Sequence, residues 1–514
     1  MNLGTVFHRH VLREPRAVAI VDGEIRKTYG EWYSEILSVA GGLKLKGLNP
    51  GDHFVVLLSN RFETATLYWA CQILGVVFTP FNWRASAVEI TYVLEDADAV
   101  AVAFEKRSGE AAGAAISELG GADIMTFDVD GGDFEALLAS GSVCGPSSGG
   151  EDEVCLMLYT SGTTGRPKGV PRSHRAERLA ASHCVSQLYY KRGESTLGVM
   201  PMFHTMGVRS ILMCMILNSK FVCLATWEPE QAMRLIEVEN IDTLFLVPTM
   251  FHDIVNNTAR ADYDLSSAKN IAYAGMTMTS ALTALCNSEL KPKHFLNFYG
   301  SSEIFCFAVC DHVADKPGCA GRAGIGQIIR IVEPDPDGGS GPDDVVSDGI
   351  SGEIIAPMNG MEAFSGYWKR PDADAKSIRE GWYFTGDLGY FDNEGELYVV
   401  GRVDDMVISG GENIYPEEVE DVLAKSPLVK QAAVVGMPDE RMGSRIVAFI
   451  EPVSAECSAD ALDAWCLDST LARFKRPRSY VFVRQIPRSA AGKLLRRFLR
   501  EGDYETLPAY QSTL

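Results

Sequence analysis

The sequence contains few basic residues relative to acidic ones. Lys and Arg number 47 against 68 Asp and Glu, which leaves a net charge of −21 at pH 7. Such a surplus of negative charge repels polyanions at long range unless basic residues are concentrated in one patch. Nucleic acid is therefore a poor first candidate for a ligand.

Long apolar runs and a regular cysteine pattern are also missing. A 20-residue stretch without charge, Thr64–Trp83, is interrupted by Gln72, Gly75 and Pro80, which favours a buried helix and strand over a membrane span. The 12 cysteines lack the dense spacing of a secreted disulfide framework, so we expect mostly reduced thiols. The first residues lack the apolar core of a signal peptide. The expected location is the cytoplasm, without a membrane partner.

What the chain does contain is typical of a large globular protein. At roughly 150 residues per unit, its 514 residues correspond to about three structural units. Short apolar segments such as FVVLL at 54–58 and CLMLY at 155–159 alternate with longer helical stretches. This alternation predicts an α/β fold with largely parallel, buried strands.

Polar or glycine-rich segments follow five of the predicted strands. LMLY leads into TSGTTGRPKG, LGVM into PMFHTMG, LFLV into PTM, NIAY into AGMTMT, and HFLNF into YGSSE. In open α/β sheets, ligands bind outside the carboxyl ends of the strands. We therefore expect these five segments to line one cleft.

The pattern changes in the last third of the chain. From about residue 328, IIRIVEP and GEIIAP flank an acidic, glycine-rich stretch, which predicts a small β unit, barrel-like in form. After GELYVVGRVDDMV a new α+β stretch begins. The predicted division is an N-terminal domain over residues 1–403 and a smaller C-terminal domain over residues 404–514.

The segment TSGTTGRPKG at 160–169 has the composition of a phosphate-binding loop. Glycine lets the backbone approach phosphate oxygens, hydroxyls and amides donate hydrogen bonds, and Lys168 adds positive charge. The segment is not a Walker loop, because Pro167 stands where that motif needs glycine. An exposed flexible loop is the alternative, and phosphate binding is the favoured interpretation.

Four further motifs follow in order: YGSSE at 299–303, YFTGDLG at 383–389, GRVDDMVISGGENIYPEEVE at 401–420, and PRSAAGKLLRR at 487–497. Together with TSGTTGRPKG, they resemble the signatures of the adenylate-forming (ANL) superfamily of acyl-CoA and aryl-CoA synthetases, peptide-synthetase adenylation domains and firefly luciferase. The resemblance extends over nearly the whole chain. It implies a layered α/β N-terminal domain, a mobile α+β C-terminal domain, and the use of ATP and Mg²⁺.

The resemblance assigns nucleotide-binding groups. Glu303 would hold Mg²⁺, since a carboxylate at a strand end suits a hard cation that also bridges phosphates; an isolated YGSSE is more commonly a surface turn. Asp387 would accept the ribose hydroxyls, and Arg402 would assist at the phosphate or ribose. The other nucleotide-binding residues implied are Thr160, Ser161, Gly162, Thr163, Thr164, Gly165, Lys168, Tyr299, Ser301 and Ser302, with Thr164 also as a Mg²⁺ ligand.

Two residues of the C-terminal part are implied in catalysis. Lys493 looks like the lysine that neutralises charge developing during adenylation; taken alone, its basic stretch would equally be a solvated helix face or a nucleic-acid contact. Asp404 resembles the hinge about which the C-terminal domain rotates, presenting Gly410 and Gly411 to the thiol tunnel. A charged, solvated turn is the alternative for Asp404.

An acyl pocket is implied at the ends of the central strands. His204 lies where the family has an aromatic residue or histidine that gates this pocket, with a core histidine as an equal alternative. His183 stands where aryl ligases carry a phenylalanine, which favours a polar, substituted or heterocyclic ring. The other pocket residues implied are Phe245, Ala274, Phe298, Gly300 and Phe305, most of which would serve equally well as core.

Coenzyme A is the expected acyl acceptor. The chain ends 21 residues after Lys493, so a carrier domain is not expected and a diffusible thiol is favoured. Met442 stands where benzoate-CoA and 4-chlorobenzoate-CoA ligases carry a tryptophan against the pantetheine arm. Similarity to those ligases implies contacts with coenzyme A, through guanidinium–phosphate pairs and aromatic stacking, at Arg84, Phe474, Arg476 and Arg478.

The predicted reaction joins a carboxylic acid to coenzyme A in two steps that consume ATP. The carboxylate attacks the α-phosphate to give an acyl-adenylate and pyrophosphate, and the thiol then displaces AMP. The expected acid is aromatic or alicyclic, with a short or medium aliphatic acid as runner-up. Acyl transfer to a carrier protein in trans and a nonenzymatic nucleotide sensor are the rival functions, and a homodimer is left open.

Overall fold

The computed structural model of the protein describes residues 1–120, 123–141, 143–160, 166–335, 339–409, 412–469, 471–488, 494–508 and 510. For residues 408, 412 and 413 the description covers the backbone alone. The helices of the described ranges are α1 (Leu3–Arg13), α2 (Tyr29–Lys46), α3 (Phe62–Leu74), α4 (Ala87–Asp96), α5 (Gly109–Glu118), α6 (Asp133–Leu138), α7 (His174–Gln187), α8 (Thr205–Leu217), α9 (Pro229–Glu239), α10 (Pro248–Val255), α11 (Ser280–Leu290), α12 (Pro371–Ser377), α13 (Pro416–Ala424), α14 (Ala459–Asp468) and α15 (Arg496–Glu501).

The strands alternate with these helices over most of the chain. They are β1 (Val18–Asp22), β2 (Ile25–Thr28), β3 (His53–Leu57), β4 (Val77–Pro80), β5 (Ala99–Phe104), β6 (Met125–Asp128), β7 (Val154–Thr160), β8 (Lys168–Ser173), β9 (Ser195–Gly198), β10 (Lys220–Cys223), β11 (Thr243–Leu246), β12 (Asn270–Ala274), β13 (His294–Tyr299), β14 (Ala308–Cys310), β15 (Cys319–Ala323), β16 (Arg330–Val332), β17 (Gly352–Pro357), β18 (Ile378–Arg379), β19 (Trp382–Phe391), β20 (Leu397–Arg402), β21 (Val407–Ser409), β22 (Glu412–Ile414), β23 (Val429–Asp439), β24 (Gly443–Pro452) and β25 (Ser479–Phe482).

Two large sheets form the centre of the N-terminal part. The smaller has six strands in the order β6-β5-β3-β4-β7-β8, and only its β7–β8 hairpin is antiparallel. The larger has fourteen strands in the order β16-β17-β19-β20-β15-β14-β13-β12-β11-β9-β10-β1-β2 with β18 beside β19. The α/β class predicted from the sequence is confirmed.

Parallel pairing places four of the predicted ligand-binding segments along one sheet edge. Strands β13, β12, β11 and β9 are consecutive neighbours and run parallel. Strands β11 and β12 are buried along their whole length, which explains their nearly continuous apolar sequences. The segments that follow these four strands therefore share the carboxyl edge, whereas the fifth segment belongs to the β7–β8 hairpin of the other sheet.

The small β unit predicted after residue 328 extends the larger sheet. Strands β14, β15, β20, β19, β17 and β16 are joined by antiparallel pairing. Arg330–Val332 pairs with Glu353–Ile355 across the acidic stretch, as the sequence predicted. This unit places the YFTGDLG segment on β19, beside β20. Asp387 is therefore the strand partner of Arg402, fifteen positions later in the chain.

The C-terminal part has its own sheet and core. Strands β23, β24 and β25 form a three-stranded sheet, and β21 and β22 form a separate hairpin. The apolar faces of α13 and α14 pack on this sheet through buried residues such as Val419, Leu423 and Leu462. Helix α13 and the strands β23 and β24 that follow it make up the α+β stretch that the sequence predicts after GELYVVGRVDDMV.

The uncharged stretch Thr64–Trp83 is buried, as predicted. It contributes most of α3 and all of β4, and Trp69 on α3 stacks on Phe7 with ring centroids 4.1 Å apart. Within the described ranges, no helix is both long and apolar enough to cross a membrane. All twelve cysteines are free thiols, which agrees with the expectation of reduced cysteines.

Candidate active site

The β7–β8 hairpin flanks the predicted phosphate loop. Thr160 at the end of β7 pairs with Lys168 at the start of β8, so the two ends of the loop stand opposite one another. The amide of Trp368 donates to the carbonyl of Gly169 at 2.9 Å, which joins the hairpin to the segment before α12. The predicted phosphate-binding residues Ser161, Gly162, Thr163, Thr164 and Gly165 lie outside the described residues.

Lys168 lies beside an aromatic ring and a carboxylate. Its Nζ is 4.0 Å from the centre of the Tyr367 ring, within the range of a cation–π contact. Burial lowers the pKa of Lys168, and the nearby Glu303 carboxylate opposes that shift. The arrangement holds a desolvated ammonium group near an acid, at the start of β8, next to the predicted phosphate loop.

Glu303 is held in place by two tyrosines and the turn that precedes it. The Tyr367 hydroxyl donates to Glu303 Oε1 at 2.8 Å, and the Tyr383 hydroxyl lies 3.4 Å from that of Tyr367. The Glu303 side chain is only 6% exposed. Burial first, and the Glu303 charge second, raise the pKa of Tyr367, so the phenol stays protonated as a donor. An oriented, buried carboxylate with hard oxygen donors fits Mg²⁺.

The three other residues of YGSSE that are predicted to bind the nucleotide lie at or just after the end of β13. The Ser301 hydroxyl accepts from the amides of Glu303 and Ile304, each at 3.2 Å, and thereby stabilises the turn. Ser302 is half-buried beside it. Tyr299 ends β13, and its hydroxyl donates to Asp387 Oδ2 at 2.8 Å. Ser301 and Tyr299 therefore have visible structural roles in addition to the nucleotide contacts predicted for them.

Asp387 and Arg402 form an ion pair across two neighbouring strands. They are direct partners in the β19–β20 pairing, and Arg402 Nη1 lies 3.0 Å from Asp387 Oδ1. The Asp387 charge is the largest cause that raises the pKa of Arg402. Gly386 precedes them at φ 70°, and a Cβ there would lie 3.0 Å from Arg402 Nη2, so glycine suits this position.

The predicted hinge lies between two anchored residues. Asp404 is exposed and sits in the short 3₁₀ turn Val403–Asp405 that follows β20. Arg402 before it is tied to Asp387 of the small β unit. Asp405 after it contacts Arg496 at 3.2 Å and Arg500 at 2.8 Å on α15 of the C-terminal part. These contacts leave Val403 and Asp404 between the two anchors, where the sequence predicts the hinge.

The predicted aromatic residues of the acyl pocket lie together in one buried cluster. Phe298 packs between Phe245 and Phe305, with ring centroids 5.8 Å and 4.8 Å away. Ala274 belongs to the same cluster at the end of β12. Gly300 allows the close approach of the next turn, because a Cβ there would lie 1.5 Å from the carbonyl oxygen of Phe305. Their role as pocket walls stays a prediction.

His204 occupies the start of α8. It is the residue before Thr205 in that helix, half-buried, with its ring 4.8 Å from the ring of Phe203. Burial lowers the pKa of His204 to about 4, so the imidazole is neutral at pH 7. A neutral, partly desolvated ring suits a gate or a wall of a pocket better than it suits an acid.

The predicted pocket residue His183 has a partner that the sequence did not indicate. His183 on α7 is hydrogen-bonded through Nδ1 to Oε1 of Glu362. Glu362 is 1% exposed, and its Oε2 has no hydrogen-bond partner among the described residues. Burial raises the pKa of Glu362, and His183 opposes this shift. The neighbouring residue Cys184 belongs to the aromatic cluster, which puts this polar pair at its side.

A second feature missed from the sequence is a fully buried charge triad beneath the site. Glu177 Oε1 accepts from Arg172 Nε at 2.9 Å and from Arg209 Nη2 at 2.8 Å, and all three side chains are 0% exposed. Arg172 also donates to the carbonyl of Glu303 at 2.7 Å. Arg209 lies 4.4 Å from the centre of the Phe305 ring. The triad therefore supports both the acid and the aromatic part of the site.

Replacing Glu177 with leucine is expected to lower the free energy of unfolding by about 3–5 kcal/mol, because two buried guanidinium groups lose their counter-charge. Chemical denaturation followed by tryptophan fluorescence measures this loss. The control Glu501→Gln removes an exposed partner of Arg497 and should change the value by less than about 0.5 kcal/mol. A loss under about 1 kcal/mol for Glu177→Leu would contradict the assigned role of the triad.

The residues predicted to contact coenzyme A lie on both parts of the chain. Arg84 in the N-terminal part lies 4.0 Å from the centre of the Trp83 ring. Phe474 is 44% exposed and Arg478 is exposed, both near the start of β25, whereas Arg476 is paired with Asp463 at 2.9 Å. Met442, in the turn between β23 and β24, is exposed. These contacts stay predictions, and Lys493, Gly410 and Gly411 lie outside the described residues.

Fold and site together define an adenylate-forming enzyme. Residues 7–368 match the family model described as AMP-binding enzyme, and residues 418–493 match that of the AMP-binding enzyme C-terminal domain. The chain belongs to the AMP-binding enzyme family, and the resemblance inferred from its motifs is confirmed. The second match begins fourteen residues after Asp404, the first residue of the predicted C-terminal domain.

Relatives of known activity match nearly the whole chain. A 4-chlorobenzoate–CoA ligase from Arthrobacter sp is 30% identical over 501 residues, covering 95% of this chain and 93% of that protein. A feruloyl-CoA synthase from Amycolatopsis sp is 31% identical over 517 residues, covering 97% and 98%. The o-succinylbenzoate CoA synthetase of Bacillus subtilis, solved with its acyl-adenylate intermediate, superimposes with a TM-score of 0.86 at 26% identity, covering 98% of this chain and 99% of that chain.

Proposed function

We propose that the protein is an ATP-dependent carboxylate–CoA ligase that works through an acyl-adenylate. At the level of the class, an AMP-forming acid–thiol ligase, the prediction is confirmed by the family match and by the ligases and synthetases among its relatives. The observation that carries the proposal is the cluster in which Tyr367 contacts both Lys168 and Glu303. Lys168 begins β8 of the smaller sheet, and Glu303 follows β13 at the carboxyl edge of the larger sheet. The ion pair of Asp387 with Arg402 lies on β19 and β20, two neighbouring strands of the larger sheet.

The first half-reaction activates a carboxylate, which is otherwise a poor electrophile. The acid attacks the α-phosphate of ATP, and pyrophosphate leaves with the electron pair of the broken bond. In our proposal Lys168 contacts the phosphates, Asp387 accepts the ribose hydroxyls, and Lys493 neutralises charge on the reacting oxygens. Glu303 and Thr164 would hold Mg²⁺, which neutralises the triphosphate and orients it when bound.

The second half-reaction transfers the acyl group to coenzyme A. The thiol attacks the acyl carbonyl, and AMP leaves. We assign Asp404 as the pivot that turns the C-terminal domain from the first arrangement to the second. Arg84 and the pair Phe474 and Arg478 belong to different parts of the chain, so this turn would bring the coenzyme A contacts together.

The acid is proposed to be aromatic or alicyclic, with a short or medium aliphatic acid as runner-up. Support comes from the contacting rings of Phe245, Phe298 and Phe305, which form a compact apolar cluster near the ends of the central strands. Two of the relatives described above are named for 4-chlorobenzoate and ferulate, both aromatic acids.

We further propose that the ring of the acid carries a hydrogen-bonding group. His183 and Glu362 lie beside the aromatic cluster, and Glu362 Oε2 is buried with no partner in the part of the chain that the structure describes. A buried acceptor without a partner is costly, and a donor on the substrate would satisfy it. Hydroxylated, amino-substituted or heterocyclic ring acids have such a donor.

Replacing His183 with phenylalanine is expected to lower kcat/KM at least about tenfold for a hydroxylated ring acid relative to its unsubstituted parent. The imidazole orients Glu362, and its loss removes the ordered polar end of the pocket. Steady-state kinetics with benzoate, hydroxybenzoates, nicotinate and cyclohexanecarboxylate measure the ratio. His252→Phe, at an exposed histidine, is the matched control. An unchanged ratio between polar and apolar acids would remove this pair from substrate selection.

Acyl transfer to a carrier protein in trans is the rival within enzymes. It shares the first half-reaction, so AMP release with and without coenzyme A separates the two. A coenzyme A ligase releases AMP in proportion to added thiol, whereas a carrier-loading enzyme holds acyl-adenylate regardless of it. The nucleotide sensor is disfavoured because Lys168, Glu303, Asp387 and Lys493 are all present, and sensing needs no pyrophosphate chemistry.

Three finer points belong to the same proposal. Mg²⁺ is supported by the donor chemistry at Glu303. A cytoplasmic location is supported by twelve free thiols, which are typical of reducing compartments. A homodimer stays open.

A further inference from the structure

A second cluster of ligand-type side chains lies away from the proposed active site. Cys310 ends β14, Cys319 begins β15, His312 lies between them, and Glu396 precedes β20. One donor atom from each of the four residues lies within 4.8 Å of every other. Both thiols are 0% exposed and Glu396 is 3% exposed, while His312 is half-buried at the surface.

The separations within this cluster match the edges of a metal tetrahedron. Glu396 Oε2 lies 3.3 Å from Cys319 Sγ and 3.4 Å from His312 Nε2. A tetrahedral zinc with bonds of about 2.3 Å to sulfur and about 2.0–2.1 Å to nitrogen or oxygen separates its ligands by roughly 3.3–3.8 Å. Both separations measured from Glu396 Oε2 are therefore close to those of two ligands on one ion.

The outer contacts orient two of these ligands toward a common centre. His312 Nδ1 faces Asp311 Oδ1 at 3.0 Å, which leaves Nε2 directed at Glu396. Asp311 is in turn held by the Tyr189 hydroxyl at 2.7 Å. Glu396 Oε1 accepts from Arg322 Nε at 2.9 Å, which leaves Oε2 for the centre. Carboxylate–histidine pairs of this kind fix the tautomer of metal-bound imidazole.

We propose that Cys310, His312, Cys319 and Glu396 bind one zinc ion in a closed, structural site. Two thiolates, an imidazole and a carboxylate form a donor set that binds zinc in preference to Mg²⁺ and Ca²⁺, which prefer oxygen ligands. Binding displaces one proton from each thiol into solvent, while the imidazole binds in its neutral form. Arg322 beside Glu396 compensates the single negative charge left on the complex.

Such an ion would join two loops that are distant in sequence. The loop Asp311–Gly318 connects β14 to β15, and the turn Asp392–Glu396 connects β19 to β20. Lys316 already links the two loops through Asp392 at 3.0 Å and Glu394 at 2.7 Å. Because β19 and β20 carry Asp387 and Arg402, the zinc site would stabilise the strands that position the nucleotide-binding pair.

The test is the metal content of the full-length protein, purified under reducing conditions without a histidine tag or chelator. Mass spectrometry of elements should find about one zinc per chain. Removal with a strong chelator should lower the melting temperature by about 3 °C or more, and added zinc should restore it. Cobalt exchanged into the site should give thiolate-to-metal charge transfer and the intense visible bands of a tetrahedral ion.

Variants localise the ion. Cys310→Ser combined with Cys319→Ser should abolish zinc retention, and His312→Asn, at a half-buried ring that tolerates change, should lower the affinity at least about tenfold. Cys286→Ser and His252→Asn remove a buried thiol and an exposed histidine elsewhere, and both should retain about one zinc per chain.

Three results would overturn the proposal. One is protein that contains under about 0.1 zinc per chain and takes up none when zinc is added to the reduced form. Another is a Cys310–Cys319 disulfide with no zinc binding after reduction. The third is zinc retained equally by the double cysteine variant and by Cys286→Ser.

Discussion

Lys493→Ala is expected to slow acyl-adenylate formation by about 100- to 1,000-fold, the usual loss when a group that neutralises transition-state charge is removed. Thioester formation from supplied acyl-adenylate should change less than about threefold, because we assign this lysine to the first half-reaction alone. A cation that acts on both half-reactions would slow both. The informative quantity is therefore the rate loss in the first half-reaction relative to the loss in the second.

Two assays measure the rate losses of Lys493→Ala in the two half-reactions separately. Pyrophosphate exchange into ATP reports the first half-reaction, and release of AMP from synthetic acyl-adenylate with coenzyme A reports the second. Lys425→Ala replaces an exposed lysine after α13 and serves as the control. Equal losses in both half-reactions would refute the alternation of the C-terminal domain.

Asp404→Pro should have the reverse effect. Residues of a 3₁₀ turn such as Val403–Asp405 have φ of about −50 to −70°, which proline matches, but the ring fixes φ near −65° and prevents the change that a rotation needs. We expect the rate of thioester formation to fall about 100-fold while adenylation stays within about threefold. The anchors on either side, Arg402 to Asp387 and Asp405 to Arg496, confine the expected rotation to residues 403–404.

A charge-only variant separates the hinge from electrostatics. Asp404→Asn keeps the backbone freedom of residue 404 and should retain most of both half-reactions. Single-turnover kinetics with preformed acyl-adenylate measure the second step for both variants. Thioester formation at the normal rate in Asp404→Pro would remove residue 404 from the mechanism.

The fold was predictable because its main determinants are local. Apolar strands of four to seven residues alternate with helical stretches, and the polar segments after β9, β11, β12 and β13 lie at one edge because those strands are parallel neighbours. The antiparallel pairing around the acidic stretch was visible for the same reason. Strand order, by contrast, depends on contacts between distant segments, which periodicity does not encode.

The site was predictable only where a motif carries its chemistry within a few residues. Glu303, Asp387 and Arg402 belong to such motifs, and the structure adds their partners. Tyr367, which contacts both Lys168 and Glu303, lies in an ordinary SGYW segment. Tyr367 contacts Glu303, 64 positions before it, and Lys168, 199 positions before it. A single sequence does not show contacts over such separations.

Buried charges were missed for a related reason. Arg172 and Glu177 lie in RSHRAER, which looks like a solvated stretch until β8 and α7 fold against α8. Glu362 likewise looks like a surface residue, although it is 1% exposed. Burial of a charge is decided by the partner that compensates it, and those partners lie on other elements.

Product analysis by mass spectrometry tests the central claim most directly. Purified protein is incubated with MgATP and a panel of aryl, alicyclic and aliphatic acids, each with and without coenzyme A. The account predicts an acyl-CoA thioester and AMP for ring acids, most strongly for those with a hydrogen-bonding substituent. Acyl-adenylate that accumulates regardless of coenzyme A, or no adenylate with any acid of the panel, would contradict it.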